Sequence, residues 1–560
     1  MIVIALSWII LLLFFIPTGM VAKSFLKIQT TDNYLPIFLG IFLQCVGLCI
    51  FSFFFKIGWV VFLFNFLMVI GLSVWKSKEI KSSLKEIKAD IQTLPKISKI
   101  ILATIFVFAL FKCAQSPFII DNESYYVQTI KWINEYGFVK GLANLHIYLG
   151  QNSPFHVLQA GFNFSFLTDR INDINGFLLV FSSVYFITEF EKRHSKNAET
   201  HWIGFIPIFN ILFFQFINAP SPDLSIILVS QILFYYFLDK DNSLDSFKIV
   251  TLLFLYLIFI KITIAPLGLL VIYLLHFDKK RFSFLLIFGS LTSLILILKN
   301  SIITGYPFYP FYILPLEKDW KIPQQLLEFI ASRTKSAGYI KVGSLNNASL
   351  LTKLNSWLHL GGINRVFNIG MLVLFAFGLF INKIQQQIKY KILYLILGIH
   401  FVLLLLTSPQ FRFFLPEFVF LSVLALSTLF NYFKMNSQWV RFTLLTGIIL
   451  PLIAVPFIDY KNFTANKLHQ HKEKYNWYQI LIPEKNSKYA EIPFEKIKEG
   501  NLDYYSPKEN FFFYGTANGD IPCVNKVQVE YFKNYYYIKP QLRTSDLSDG
   551  FYSKSILNNE

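Results

Sequence analysis

Apolar runs of about 17 to 22 residues recur along most of this chain, the length a helix needs to cross roughly 30 Å of hydrocarbon. A water-soluble fold has no interior large enough for so many of them. With 54% hydrophobic residues and 63 phenylalanines in 560, the chain lies outside the range of soluble globular proteins. It reads as a mainly α, polytopic helical membrane protein. No cleavable signal peptide is expected, because the first run lacks a basic n-region and further spans follow it.

Spans are predicted near residues 2 to 22, 34 to 54, 58 to 75, 100 to 118, 173 to 190, 201 to 217, 223 to 238, 247 to 261, 263 to 277, 282 to 298, 365 to 382, 392 to 407, 413 to 431 and 442 to 458, about fourteen helices in all. The net charge of +17 sets their orientation. The basic segments WKSKEIKSSLKEIK (75 to 88), EKRHSK (191 to 196), DKKR (278 to 281), NKIQQQIKYK (382 to 391) and NYFKMNSQWVR (431 to 441) all fall on one side, assigned to the cytoplasm. The loops 119–172 and 299–364 and the tail from 459 then face outward. The assignment depends on a break at Lys261 and Pro266; one continuous helix there would invert everything that follows.

Three regions result: N-terminal spans with a basic cytoplasmic loop (1–99), a main membrane domain (100–458), and a hydrophilic C-terminal region (459–560). The last alternates aromatic and charged residues with Gly and Pro punctuation, which favours short strands and turns in a small extracytoplasmic α/β appendage. Cys45, Cys49, Cys113 and Cys523 suggest neither a disulfide framework nor a zinc site.

The outward side carries the chemistry. The first large loop opens IIDNESYYVQTIKWINEY, which predicts an amphipathic helix in the membrane interface, beginning with Asp121 and Glu123. Both acids suit an ordinary helix start as an N-cap and a first-turn charge, and equally suit a base or a metal ligand at the membrane surface. Asp223, in NAPSPDLSII, has the same two readings, with Ser221 as N-cap and Pro222 at the first helical position. Lys261, Lys299 with Asn300, and Arg412 lie at outward junctions, where they either snorkel or clamp a phosphate or pyrophosphate. The loop 299–364 adds further lysines, suiting an anionic lipid-linked substrate. His146 and His156 share the first outward loop without the i, i+4 spacing of a helical metal site.

The apolar spans, the outward loop opening IIDNESYY, the later acidic helix start APSPDLS, and GYPFYP after a lysine together resemble the GT-C superfamily of multi-span glycosyltransferases, over roughly residues 90 to 430 and in a poorly characterised bacterial branch. The resemblance implies sugar transfer from a polyprenyl-phosphate or polyprenyl-diphosphate donor to an envelope glycan, lipid or protein acceptor on the outer face of a bacterial cytoplasmic membrane, with inversion. It makes Asp121, with Glu123 beside it, the catalytic candidates and Asp223 a second acidic site. Tyr125, Tyr126, Lys131, His146, Lys261, Lys299, Asn300, Tyr306 and Arg412 become substrate-binding candidates. A divalent cation, Mg or Mn, held by Asp121, Glu123 and Asp223, is left open, because Leu224 and Ser225 follow Asp223 where other members have a second Asp. No nucleic-acid partner is implied. The rival classes are a flippase, a polymerase or ligase, and a non-catalytic component of envelope polysaccharide assembly.

Overall fold

The computed structural model describes residues 1–194, 200–339, 348–454, 476–489, 492–508 and 511–556. Helices dominate as far as residue 454, and each predicted apolar segment overlaps helix, although the helix in 100–118 ends at Cys113 and fourteen spans are not established; residues 455–458 of the last predicted span lie outside the described residues. Among the described residues, seven helices are long and apolar enough to cross a membrane: Ile2–Phe25, Leu35–Ser52, Ile174–His194, Pro222–Asp239, Lys280–Thr304, Ile388–Thr407 and Phe411–Tyr432. An eighth is added if Trp59–Trp75 and Ser77–Thr93, bent by 84°, count as one span. Several of the remaining predicted spans are short or broken. Trp202–Phe213 is a 3-10 helix carrying Pro207, and a proline inside a helix removes one N–H and crowds the preceding turn.

The break expected at Lys261 is present. Helix Leu244–Ile260 stops there, Lys261 is extended (φ −156°, ψ 114°), and a 3-10 segment containing Pro266 leads into Gly268–Leu275.

The first two helices lie almost backbone to backbone. A Cβ on Gly19 would come 1.7 Å from the Pro36 carbonyl oxygen, and one on Gly40 would come 1.9 Å from that of Phe15. Small residues permit this approach, which tightens van der Waals packing where lipid removes the hydrophobic drive between helices.

Helix Pro222–Asp239 relates the two ends of the bundle. Asp223 at its start joins Lys261 and Arg412; Asp239 at its end joins Arg193 and His201. Sixteen residues of α-helix separate these clusters by about 24 Å. Lys192 and Asp90 pair beside the second cluster, so the segment after Ser77 and the end of helix Ile174–His194 share that end.

The C-terminal region contains two small antiparallel sheets. Phe494–Glu499 pairs with Leu502–Pro507, and Ile538–Leu542 with Phe551–Ser555, with helix Lys526–Tyr536 between the hairpins. It covers the first large loop, and this changes the helix predicted there. Residues Asn122–Tyr126 form a π-helical turn that continues as α-helix Val127–Tyr136. The predicted interfacial helix with one wet face is instead buried nearly all round: Gln128 and Lys131 donate to the Gly519 carbonyl at 2.7 and 3.0 Å, and Trp132 meets the Phe551 ring edge-on at 5.6 Å. Residues distant in the chain supply the surface that the polar face was expected to leave to water.

Candidate active site

Four of the predicted residues converge, each from a different element. Arg412, on the 3-10 turn Phe411–Phe414, directs Nη1 into an ion pair with Asp121 Oδ2 and lies 3.9 Å from Asp223 Oδ2. Lys261 Nζ pairs with the other oxygen of Asp223. Phe413 completes the group, its ring centroid 3.8 Å from Lys261 Nζ and 5.1 Å from Arg412 Cζ, within cation–π range of both.

Local structure explains why these side chains are available. Asp121 precedes the π-helical turn but makes no side-chain cap bond, so its carboxylate is committed to Arg412 rather than to the helix. Ser221 supplies the cap of helix Pro222–Asp239, accepting from the Asp223 N–H at 3.3 Å and leaving the Asp223 carboxylate free for Lys261. The extended backbone at Lys261 turns what would be a costly mid-helix cation toward that acid. Asp223 is 4% exposed, whereas Asp121, Arg412 and Lys261 keep 19%, 24% and 18% of their side-chain surface. The cluster is therefore charge-balanced, with Asp223 its most buried member and the other three partly exposed.

Aromatic rings wall one side. Tyr125 stacks on Tyr148 at 5.5 Å, Tyr126 lies 4.8 Å from His156, and Tyr148 meets Tyr514 of the C-terminal region at 4.5 Å. Around them are buried polar atoms without a hydrogen-bond partner: Arg412 Nε, His156 Nε2, the Asn152 side-chain amide and Tyr309 Oη. Buried polar groups are normally satisfied. Such exceptions also occur elsewhere in the bundle, at Trp8 Nε1 and Gln231 Oε1 among others, so these atoms do not by themselves mark a ligand site.

Other predicted residues go elsewhere. Glu123 faces the C-terminal region: Ser487 Oγ donates to it at 2.5 Å, the Lys488 N–H at 3.1 Å and Asn122 at 3.0 Å. Burial pushes its carboxyl above the ordinary range, and these donors pull it back. The trio Asp121, Glu123 and Asp223 is thus not gathered around one point, because Glu123 anchors the covering segment while the two aspartates pair with cations. No three His, Cys, Asp or Glu side chains come together as a metal site among the described residues. Lys131 holds Gly519 and Asp520. Lys299 donates to the Asn152 carbonyl at 2.6 Å, Asn300 to the carbonyls of Pro307 and Tyr309 at 3.3 Å, and Tyr306 is buried in that turn.

His146 is a structural pin of the same covering contact. Its Nε2–H donates to the Tyr514 carbonyl at 3.1 Å and its Nδ1 accepts the Tyr148 N–H at 3.2 Å, so the neutral ring satisfies both. Burial lowers its pKa from 6.5 to about 4, and that of His156 to about 3. Above pH 6.5 both rings are neutral whether folded or unfolded. As the pH falls from 6.5 toward 4, the unfolded chain takes up a proton that folded His146 refuses, and stability drops by about 1.4 kcal/mol per unit. His146→Gln is expected to remove its share of the pH dependence of the unfolding temperature in detergent across this window, while the buried His156 keeps its own. An unchanged profile would show that the ring does not titrate with unfolding.

One pair was missed. His400 and Glu417, 1% and 0% exposed, meet between two apolar helices, and His400 Nε2 contacts the Thr263 carbonyl at 2.9 Å, two residues from Lys261. An ionisable residue inside an apolar run, as in LGIHFVLLLL, was the available signal. The contributions of Ser487, Lys488 and Tyr514 left no local signal at all.

A family model matches residues 1–420, and its description is Domain of unknown function (DUF8201). No curated protein and no solved structure matches the chain. The matched range contains Asp121, Asp223, Lys261 and Arg412, and stops before the covering C-terminal region.

Proposed function

The chain belongs to the DUF8201 family, whose function is unknown, and we propose that it is a membrane glycosyltransferase of the GT-C type, moving a sugar from a polyprenyl-phosphate-type donor to an envelope glycan, lipid or protein acceptor. The observation that carries the proposal is the meeting of Asp121, Arg412, Asp223 and Lys261 from four separate elements at one end of an apolar helical bundle. That end is taken as the outer face of a bacterial cytoplasmic membrane.

Asp121 acts as general base. It removes the acceptor hydroxyl proton as the acceptor oxygen bonds to the anomeric carbon, and the bond from that carbon to the lipid phosphate oxygen breaks with its electron pair on the phosphate. Arg412 and Lys261 neutralise the leaving phosphate: the guanidinium offers a planar fork, the ammonium a compact charge. Displacement is in line and inverts the centre. Without substrate, Arg412 is held by Asp121; an arriving phosphate competes for the guanidinium and releases the carboxylate for its task. Asp223 keeps Lys261 in place. Glu123 is assigned to fastening the covering segment.

The test is purification in detergent followed by incubation with a panel of polyprenyl-phosphate sugars and an envelope-derived acceptor fraction. Release of polyprenyl phosphate coupled to acceptor labelling is the expected result. The second reading, a non-catalytic assembly component, is favoured by one feature: both aspartates already have cationic partners, as a purely structural network requires. Binding of lipid donor without turnover across the panel would support it instead.

A further inference from the structure

The segment Ser77–Thr93 has no part in the proposed chemistry, yet its side chains are sorted with unusual strictness. Lys78, Lys81, Lys85 and Lys88 follow the spacing i, i+3, i+7, i+10, which places them on one stripe of an α-helix. All four are exposed, and none has an ion-pair partner among the described residues. Ile80, Leu84, Ile87 and Ile91 form the neighbouring stripe; Ile80 and Ile87 pack against the protein, while Leu84 remains 44% exposed. The opposite edge is acidic and clamped to the bundle, Glu86 accepting from Asn33 at 2.6 Å and Asp90 from Lys192 at 2.7 Å. Ser83, buried on that edge, donates to the Asn33 carbonyl.

The preceding helix fixes where this surface lies. Trp59–Trp75 is apolar and outward-facing, with Phe64, Leu67, Val74 and Trp75 at 55%, 58%, 71% and 66% exposure. At its end the chain turns by 84° into Ser77–Thr93. A helix perpendicular to a span, beginning beside an exposed tryptophan, lies along the headgroup layer. There the acidic edge and the isoleucines Ile80 and Ile87 face the bundle, the exposed Leu84 faces the acyl boundary, and the lysine stripe projects away from the protein over the surrounding lipid.

We propose that Ser77–Thr93 is an in-plane interfacial helix whose Lys78, Lys81, Lys85 and Lys88 stripe binds the phosphates of anionic membrane lipids. The proposal rests on the apolar helices spanning a membrane and is independent of sugar transfer. Lysine stems lie along the apolar boundary while their ammonium groups reach the headgroups, and each charge near an anionic surface adds to the attraction. The occupant is a lipid surface because the stripe begins three residues after the exposed Trp75, where the exposed apolar face of Trp59–Trp75 ends.

The full chain is placed in nanodiscs of phosphatidylcholine alone and in nanodiscs with about one-quarter phosphatidylglycerol, an anionic fraction sufficient for a surface potential. Amide hydrogen exchange is followed in residues 77–93. For the wild type, exchange there is expected to slow at least about tenfold in the anionic discs, and the gain to shrink with added salt. The combined variant K78Q/K81Q/K85Q/K88Q is expected to lose the difference between the two compositions, while exchange in Trp59–Trp75 stays slow in both. Equal exchange of 77–93 in both discs for the wild type, or a difference that survives in the variant, would overturn the proposal. Fast exchange throughout Trp59–Trp75 would overturn it by a separate route, showing that the neighbouring helix is not embedded.

Discussion

Asp121→Asn is expected to reduce sugar transfer by about 100- to 10,000-fold, the range a positioned general base contributes, while leaving the protein folded. Asparagine has nearly the same shape, and its amide oxygen can still accept from Arg412, so the turn before Asn122–Tyr126 keeps its tether. What it lacks is the negative charge and the ability to take a proton. Donor binding should hold or tighten, since Arg412 is released from a charged competitor, so the loss should fall on kcat rather than on KM for the lipid donor. Asp121→Glu, with a carboxylate one methylene further out, should recover part of the rate. Turnover by the Asn variant within about threefold of wild type would remove Asp121 from the chemistry, since so small a change is well under 1 kcal/mol of barrier.

Asp223→Asn should behave differently, and the contrast separates base from scaffold. Its carboxylate is nearly sealed and holds Lys261, so its loss leaves a cation without its partner and disturbs the phosphate-binding side. A raised donor KM is the expected signature.

How much of this was legible in the sequence follows from the range of the interactions. Helices were legible because an apolar run long enough to span a membrane has few alternatives, and the break at Lys261 was legible because a lysine and a proline interrupt one. Asp121, Asp223, Lys261 and Arg412 could be grouped because alternating spans put them on one side of the bundle. What alternation could not supply was distance: it treated Lys299 and Glu123 as equals of the other four. Lys299 turns to the Asn152 carbonyl and Glu123 to Ser487. Both outcomes depend on contacts more than a hundred residues apart, which no local pattern encodes. The same cause explains the buried helix Val127–Tyr136, whose amphipathic sequence describes a polar face but not the chain segment that covers it.

Arg412 should show the largest effect on stability, because its guanidinium pairs with Asp121 and also lies 3.9 Å from Asp223. Arg412→Gln leaves Asp121 without its partner and Asp223 with Lys261 alone. Breaking a buried pair from one side costs about 3–5 kcal/mol, and the partial exposure of Asp121 places the expected loss near or below the lower end, about 3 kcal/mol. Donor turnover should vanish as well. Stability and chemistry separate in Arg412→Lys: the charge remains, so the unfolding temperature in detergent should recover most of its loss, but one ammonium cannot span both carboxylates or fork onto a phosphate, and transfer should stay low. The double variant Arg412→Gln with Asp121→Asn completes the cycle. If the pair interacts as its geometry requires, removing both charges should destabilise by clearly less than the sum of the single changes, with a coupling of about 0.5–3 kcal/mol. Strict additivity would mean that Arg412 is held by something other than Asp121, and the release of that carboxylate by an incoming phosphate would lose its physical basis.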